Sequence, residues 1–411
     1  MPHELARVGS DRTPTRARVA AICGVTRKFA SRSEPDYHSS MGRTDADGSA
    51  ITSEKVRRYL ERVGYDRPQI LGMGSLGGDL SDELKAFGYG KPLRVRFRAG
   101  GEHGQQQDIV IRTMSADPFG HEDHADRVGN LLSDYDVFNT IPRHIEALDV
   151  GTFDAAGELI PMAHGEPFLV TNYVEGELYA KDLNTLADGR AATPQDIARA
   201  RALAQYLADL HSVKADAEHY VRTLRDTVGS GEGIFGQTDA FTTQNTPATP
   251  ERLYQLELQT VRWRWKLRAR STRAARTHGD FHPFNILFRA DTDFSVLDCS
   301  RGGQGEPADD VTCLAINFLL FGLRYRQGFN GGYRALWDAF WETYLEVTGD
   351  RELLEVVPLF FAWRILVLTN PVWYPNLSNE ARETLLTMAE RLLAETPFDP
   401  AHVERLWDAT P

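Results

Sequence analysis

Hydrophobic and polar residues alternate over short stretches in the first half of the chain. Val95 and Phe97 alternate with arginines, which predicts a strand that buries one face and solvates the other. Ile109 to Arg112 is short and β-branched, and Pro167 to Val174 is an apolar run bounded by glycines, so each predicts a further strand. The polar stretch from His121 to Phe138 predicts the main helix of this half.

Helical spacing of apolar residues dominates the second half. Thr193 followed by Pro194 and Asp196 is typical of a helix start, with an N-cap, a proline in the first turn and an acidic capping partner. Apolar residues repeat at helical spacing over 197–210, 336–347 and 381–392. One predicted strand pair interrupts the helices, Asn285 to Phe288 and Phe294 to Leu297. The second half is therefore predicted to be mainly helical.

The composition excludes several classes of protein. The 411 residues include 46 Lys and Arg against 58 Asp and Glu, so the formal net charge is −12. This acidic balance argues against a nucleic-acid-binding surface, and the longest mostly apolar run, Val311 to Leu323, is too short to cross a bilayer. Three cysteines without CxxC spacing indicate neither a disulfide framework nor a structural zinc site, and they fit a cytoplasmic protein.

The strongest chemical signal flanks the predicted strand pair. Asp280 shortly precedes the first strand, Asn285 opens it, and Asp298 closes the second strand. Folding the hairpin returns Asp298 to the neighbourhood of the other two, so that carboxylate and carboxamide oxygens converge at one sheet edge. Such a set suits Mg²⁺, which binds one or two carboxylates together with water and substrate phosphates. Taken singly, either aspartate would be an ordinary turn residue.

These segments resemble the aminoglycoside phosphotransferase and choline kinase-like family. Residues 278–285 match its His-Gly-Asp-x-x-x-x-Asn segment at every defined position. Asp298 is followed by Gly305-Glu306-Pro307-Ala308-Asp309-Asp310, which matches its Asp and Gly-x-Pro-x-x-Asp segment. The resemblance covers roughly residues 65–375 and implies a two-lobed protein-kinase-like α+β fold, with a small mixed-sheet lobe and a larger helical lobe.

The resemblance also implies a role for each matched residue. Asp280 would be the catalytic base or would position the attacking hydroxyl, and Asn285 and Asp298 would bind Mg²⁺. His278 would hold the loop, and Asp310 would support it from the following helix. Phosphoryl transfer depends mainly on positioning and charge neutralisation, which this set of side chains supplies.

A glycine-rich segment upstream is a weaker signal. Residues 72–77 fit GxGxxG through Gly72, Gly74 and Gly77. Glycines let backbone N–H groups approach phosphates closely, so this segment is a candidate cover for the phosphates of the nucleotide. A flexible surface turn would have the same sequence pattern.

Two further segments complete the predicted nucleotide site. Arg112 resembles the basic residue of the family's third strand and would bind phosphate oxygens, although a solvated arginine is the alternative. Asp126 and Glu122 both remain open as its acidic partner. Residues 168–176 resemble the hinge that holds adenine through backbone groups. The hinge residues implied are Asn172, Tyr173 and Val174.

The predicted organisation has three segments. Residues 1–50 show no helix or strand period and are expected to be a disordered extension. Residues 51–172 would form the β-rich N-lobe that covers the nucleotide, and residues 173–411 the helical C-lobe with the catalytic loop and acceptor pocket. The implied activity is transfer of the γ-phosphoryl group of ATP, with Mg²⁺, to a hydroxyl of a small molecule such as an aminoglycoside, an amino alcohol, or another antibiotic or metabolite.

Two alternatives remain beside this function. A protein kinase would need a long activation segment, but only residues 299–309 separate Asp298 from Asp310. A non-catalytic ATP-binding regulatory protein would have no need of Asp280. The acidic chain favours a cationic acceptor. The candidate partners for its ammonium groups are Glu306, Asp309, Glu342 and Glu346.

Overall fold

A three-stranded antiparallel sheet organises the first part of the computed structural model. Its strands, in spatial order, are β1 (Gln69–Ser75), β2 (Leu93–Arg98) and β3 (Gln106–Ile111). As predicted, Val95 and Phe97 of β2 are completely buried, and they pack against helix α1 (Ser53–Arg62). Arg94 and Arg96 lie on the opposite face and form ion pairs with Asp108 of β3. The alternating pattern therefore identified the buried face of this sheet.

The structure describes residues 51–407 except 76–91, 102, 118, 143, 163–168, 170, 242–244, 300–302 and 325–328. The predicted disordered extension over residues 1–50 lies outside them. The chain divides into two compact units, one up to Val170 and the other from Thr171. The first unit also contains a helix and a hairpin: α2 (His124–Phe138), β4 (Gly151–Phe153) and β5 (Leu159–Pro161).

Helices dominate the second unit. They are α3 (Tyr179–Asn184), α4 (Pro194–Ser212), α5 (Ala217–Gly229), α6 (Ile234–Asp239), α7 (Pro250–Leu267), α8 (Ala308–Arg324), α9 (Gly331–Thr348), α10 (Leu353–Thr369) and α11 (Asn379–Leu393). Helices α8 and α10 are buried along nearly their whole length and form the centre of the core. No helix among the described residues is long and apolar enough to span a membrane. The α+β class predicted from the sequence is confirmed.

Short strands and turns connect these helices. The strands are β6 (Glu177–Leu178), β7 (Ala275–Arg276), β8 (Ile286–Phe288), β9 (Phe294–Val296) and β10 (Gln304–Gly305). The predicted strand pair is confirmed as the hairpin of β8 and β9, which places Ile286 opposite Val296. Every strand pair among the described residues is antiparallel, whereas the resemblance implied a mixed sheet.

The strand predicted from Pro167 to Val174 is wrong for the residues that the structure describes. Residues 171–176 form no strand, and regular structure begins at Glu177. Tyr173 is 88 % exposed, and Leu169 is 87 % exposed. An apolar run indicates a buried strand only where a packing partner covers it, and these two side chains lie in solvent instead.

Candidate active site

The segment of residues 278–285, here called the Asp280 loop, joins β7 to β8. Gly279 lies in the left-handed region with φ of +82°, a conformation that favours glycine. Residues Pro283–Asn285 then form a 3₁₀ turn whose N-cap, His282, accepts the backbone N–H of Phe284 through Nδ1. Nδ2 of Asn285 donates to the backbone carbonyl of Asp280 at 3.1 Å, so the loop brings these two residues close together.

Asp310 in the first turn of α8 fixes the start of this loop. Its completely buried carboxylate accepts the backbone N–H of His278 at 2.6 Å and that of Gly279 at 2.8 Å. His211 lies 3.1 Å from the same carboxylate through Nε2, and its Nδ1 lies 2.8 Å from the hydroxyl of Tyr344. Burial alone would raise the pKa of Asp310, but its hydrogen bonds to His211 and to the loop backbone lower the pKa instead.

The Asp280 carboxylate lies among several donors. Its Oδ1 is 3.3 Å from Nη1 of Arg364 and 3.9 Å from Sγ of Cys313. Its Oδ2 is 3.3 Å from Nδ2 of Asn285 and 3.4 Å from Nε2 of His282. The side chain is nevertheless 16 % exposed. A carboxylate held in this way is oriented by its neighbours and still accessible to a hydroxyl group.

Arg364 of α10 is a site residue that the sequence analysis missed. Its guanidinium is buried and also binds the backbone carbonyl of Gly279 and the buried carboxylate of Asp309. Burial opposes the charged form, but the nearby carboxylates of Asp309 and Asp280 raise its pKa above the ordinary value. The signal was present in the sequence, because Arg364 is the only charged residue from 356 to 369. A charge inside so apolar a helix requires a carboxylate partner.

Asn285 and Asp298 lie at the same end of the β8–β9 hairpin. The carbonyl of Asn285 accepts the backbone N–H of Leu297 at 2.8 Å, so Asp298 follows the residue paired with Asn285. Asp298 is exposed and has φ of +50°, which turns the chain away from the hairpin at this point. The hairpin register therefore places both residues at the edge of the sheet into which the Asp280 loop leads.

The donor chemistry of this edge fits Mg²⁺. Asn285 and Asp298 offer oxygen ligands, and water and phosphate oxygens usually complete the coordination of Mg²⁺ in proteins. Among the described residues, no group of three or more His, Cys, Asp and Glu side chains could hold a metal ion. Binding of Mg²⁺ by Asn285 and Asp298 stays a prediction.

The predicted nucleotide-binding residues of the first unit lie on and beside its sheet. Gly72 and Gly74 belong to β1, where a Cβ at either position would contact nothing within 4 Å. Gly77 lies outside the described residues. Arg112 is exposed and directly follows β3. Asp126 accepts the backbone N–H of the N-cap residue of α2. An ion pair of Arg112 with either Asp126 or Glu122 stays a prediction.

The predicted hinge residues open the second unit. Asn172 and Tyr173 are exposed, and Val174 is half-buried. The division between the two compact units falls between Val170 and Thr171, inside the segment predicted as a hinge. Their role in binding adenine stays a prediction.

Two of the four acidic residues suggested for a cationic acceptor serve the fold instead. Glu306 is completely buried and forms an ion pair with Arg273 at 2.7 Å. Asp309 is buried and pairs with Arg364. The suggestion is therefore wrong for these two, because neither is available to an ammonium group of a substrate. Glu342 and Glu346 on α9 are exposed.

The chain belongs to the phosphotransferase enzyme family, whose model matches residues 126–344, more than half of the sequence. The matched range contains the Asp280 loop, the β8–β9 hairpin and α8. This membership confirms the predicted family and enzyme class, so the chain is a small-molecule phosphotransferase.

Several solved structures are similar to this chain at low identity. The aminoglycoside phosphotransferase APH(2″)-IIa, in a complex with gentamicin, is 13 % identical, with 85 % of this chain and 97 % of that chain covered and a TM-score of 0.29. The macrolide 2′-phosphotransferase of Brachybacterium faecium is 15 % identical, with coverages of 84 % and 100 % and a TM-score of 0.27. The choline kinase of Cryptosporidium parvum is 10 % identical, with coverages of 79 % and 89 % and a TM-score of 0.32. No curated protein matches the sequence.

Proposed function

We propose that this chain transfers the γ-phosphoryl group of ATP to a hydroxyl of a small molecule and that Asp280 receives or orients the hydroxyl proton. The acceptor oxygen forms a bond to the γ-phosphorus while the bond from that phosphorus to the bridging oxygen of ADP breaks. The observation that supports this role most is the Asp280 carboxylate itself, which is fixed by Asn285 and Arg364 yet partly exposed.

Asn285 and Asp298 are the proposed ligands of Mg²⁺. When bound, the ion neutralises charge on the phosphate oxygens. The contact between Nδ2 of Asn285 and Oδ2 of Asp280 fixes the amide so that its oxygen points away from that carboxylate. The amide oxygen is therefore the atom that Asn285 presents as a ligand, because its nitrogen is a donor only.

Arg364 is the proposed positioning residue for Asp280. It binds Oδ1 of the carboxylate and the carbonyl of Gly279, so one guanidinium holds both the side chain and the backbone of the loop. Asp309 compensates the charge of Arg364, which reduces the cost of burying that cation. Arg364 therefore orients Asp280, while its positive charge is shared between the carboxylates of Asp309 and Asp280.

The nucleotide is proposed to bind through the first unit and the segment that follows it. Gly72, Gly74 and Gly77 would cover the phosphates, and Arg112 would bind phosphate oxygens. Backbone groups of residues 172–174 would hold the adenine. With these assignments, residues 51–172 would act as the nucleotide-covering lobe and residues 173–411 as the catalytic lobe. The proposed location of the enzyme is the cytoplasm.

The test measures ADP release with Mg²⁺ and ATP across a library of hydroxylated antibiotics and metabolites. Asp280→Ala is expected to lower turnover about 10²–10⁴-fold if Asp280 is the general base. Asp293→Ala in the turn of the same hairpin is the matched control, because that exposed carboxylate pairs with Arg289 four residues away. It should retain full activity.

Turnover that is unchanged in Asp280→Ala would overturn the assignment of Asp280. Binding of ATP without turnover on any acceptor would favour a non-catalytic ATP-binding regulatory protein. Phosphate transfer to a protein but not to small molecules would favour the protein-kinase alternative.

A further inference from the structure

Helix α7 carries a row of large apolar side chains that lie in solvent. Tyr254 is 52 % exposed, Leu258 39 %, Val261 37 % and Trp265 62 %. Their spacing of four, three and four residues places them in one line along the helix, as in the seam of a coiled coil. Single exposed apolar residues are ordinary on protein surfaces, whereas a line of four at seam spacing indicates an interface. We call this line the α7 stripe.

The α7 stripe is not part of the core of the second unit. A different face of α7 packs inward, and Trp263 on that face donates from Nε1 to the carbonyl of Leu393 at 2.8 Å. An α-helix turns by about 100° per residue, so the buried face and the α7 stripe lie on opposite sides. The buried residues of α7 are Leu253, Leu256, Thr260, Trp263 and Leu267.

Charge is distributed unevenly along the same helix. Glu251 and Glu257 lie in its first half, where Arg252 is engaged in ion pairs with Glu383 and Glu390 of α11, and further basic residues lie beyond Val261. Partial burial lowers the pKa of Arg264, and the neighbouring charges of Arg268 and Arg225 lower it further, so positive charge is concentrated at this end. The guanidiniums of Arg264 and Arg268 lie 5.5 and 4.6 Å from the ring centre of Trp265. The α7 stripe therefore has an acidic end and a basic end.

We propose that the α7 stripe is a self-association surface on which two copies of this chain pair antiparallel, with the two-fold axis between Leu258 and Val261. The order of residues favours a second copy, because the stripe is complementary to itself when one copy is reversed. Tyr254 then meets Trp265 of the other copy, and Leu258 meets Val261 of the other copy. A two-fold interface requires this kind of self-complementarity.

The charges select the antiparallel direction. Reversal of one copy places Glu251 opposite Arg268 of the other copy and Glu257 beside Arg264 of the other copy. Parallel pairing would place like charges opposite each other at both ends, which is unfavourable. The α7 stripe lies outside the candidate active site, so pairing through it does not depend on the proposed reaction.

Sedimentation equilibrium of the full chain, from about 1 to about 100 µM at low salt, tests the pairing. The wild type is expected to shift from monomer to dimer within this range. Leu258→Glu places a charge in the seam and should weaken the dimer at least about tenfold. Val347→Glu is the matched control, because Val347 is an exposed apolar residue on another helix, and it should leave the dimer unchanged.

Charge reversal tests the antiparallel register. Glu251→Arg alone or Arg268→Glu alone creates two like-charge pairs per dimer and should weaken association, whereas the double variant restores both opposite-charge pairs and should recover it. Thermal unfolding checks that each variant is folded.

A wild type that stays monomeric, or a Leu258→Glu variant that associates as well as the wild type, would overturn the proposal. A full chain that stays monomeric while a chain lacking residues 1–50 dimerises would also overturn it. In that case residues 1–50 would cover the α7 stripe in the full chain. Two single reversals with no effect would exclude the antiparallel register.

Discussion

At the scale of single residues, Asp310 determines where the Asp280 loop begins. Three donors converge on its buried carboxylate, from the backbones of His278 and Gly279 and from the ring of His211. Asp310→Asn keeps the size of the side chain but replaces one acceptor oxygen by a donor group. One N–H then faces another, so we expect the free energy of unfolding to fall by about 1–3 kcal/mol and turnover to fall with it.

The pH dependence of this loss distinguishes Asp310 from other aspartates. The pKa of Asp310 in the folded chain lies below its ordinary value of 3.8. The ionised carboxylate therefore adds stability above that pH, and this contribution is lost as the pH falls through the lowered pKa. Urea unfolding should show a difference between wild type and Asp310→Asn that is constant near pH 7 and shrinks below about pH 4. Asp209→Asn, an exposed control on α4, should show little difference at any pH.

The sequence predicted the aspartates of this site but not their basic partners. Asp280, Asn285, Asp298 and Asp310 are spaced as a local motif, and the short hairpin between them leaves few ways to arrange them. Arg364 enters the site from a helix about eighty residues further along the chain. A lone charge in an apolar helix indicates that Arg364 needs a carboxylate partner, but tertiary packing decides which carboxylate it meets, and no local pattern specifies such packing.

At the scale of elements, α10 supplies a buried cation to the Asp280 loop. Arg364→Met fills the space of the side chain but removes the charge, and it leaves Asp309 and Asp280 as neighbouring carboxylates without their shared partner. Loss of one member of a buried ion pair costs about 3–5 kcal/mol, so the variant should be destabilised. Turnover should fall mainly through kcat, with little change in KM for ATP, because the proposed role of Arg364 is to orient Asp280.

A second variant separates stability from positioning. Arg364→Met combined with Asp309→Asn removes the uncompensated buried charge, so the free energy of unfolding should partly recover while kcat stays low. Arg364→Lys restores a cation and should recover part of kcat. Recovery of full kcat in the double variant would show that Arg364 stabilises the fold and does not position Asp280.

Local sequence signals predicted the element boundaries best where capping residues were present. Thr193 caps α4 and forms the predicted capping box with Asp196. Both contacts lie within four residues, so the local sequence is enough to predict them. The strand predicted from Pro167 to Val174 depended instead on a distant packing partner, and Tyr173 lies in solvent. Local hydrogen bonds can therefore be predicted from this sequence, whereas burial by an element that is distant in sequence cannot.

At the scale of the whole molecule, the fold class followed from the family resemblance, and the change from alternating to helical spacing along the chain agrees with it. The acceptor did not follow, because net charge affects the approach of a substrate and not its identity. The structure narrows the suggestion of a cationic acceptor, since Glu306 and Asp309 are committed to internal ion pairs. What remains of that suggestion is the exposed pair Glu342 and Glu346, together with the long-range field of a chain with a net charge of −12.

Ionic strength measures this field directly. Salt screens attraction between separated charges, with a Debye length of about 10 Å at 0.1 M. If the chain attracts a cationic acceptor through its overall charge, KM for an aminoglycoside or amino alcohol should rise at least about twofold between about 50 and about 300 mM salt. KM for a neutral hydroxylated acceptor is the control and should not change, because that acceptor has no net charge for the acidic chain to attract. Equal effects of salt on both acceptors would show that the acidic surface has no part in acceptor binding, and specificity would then depend on short-range contacts near Asp280.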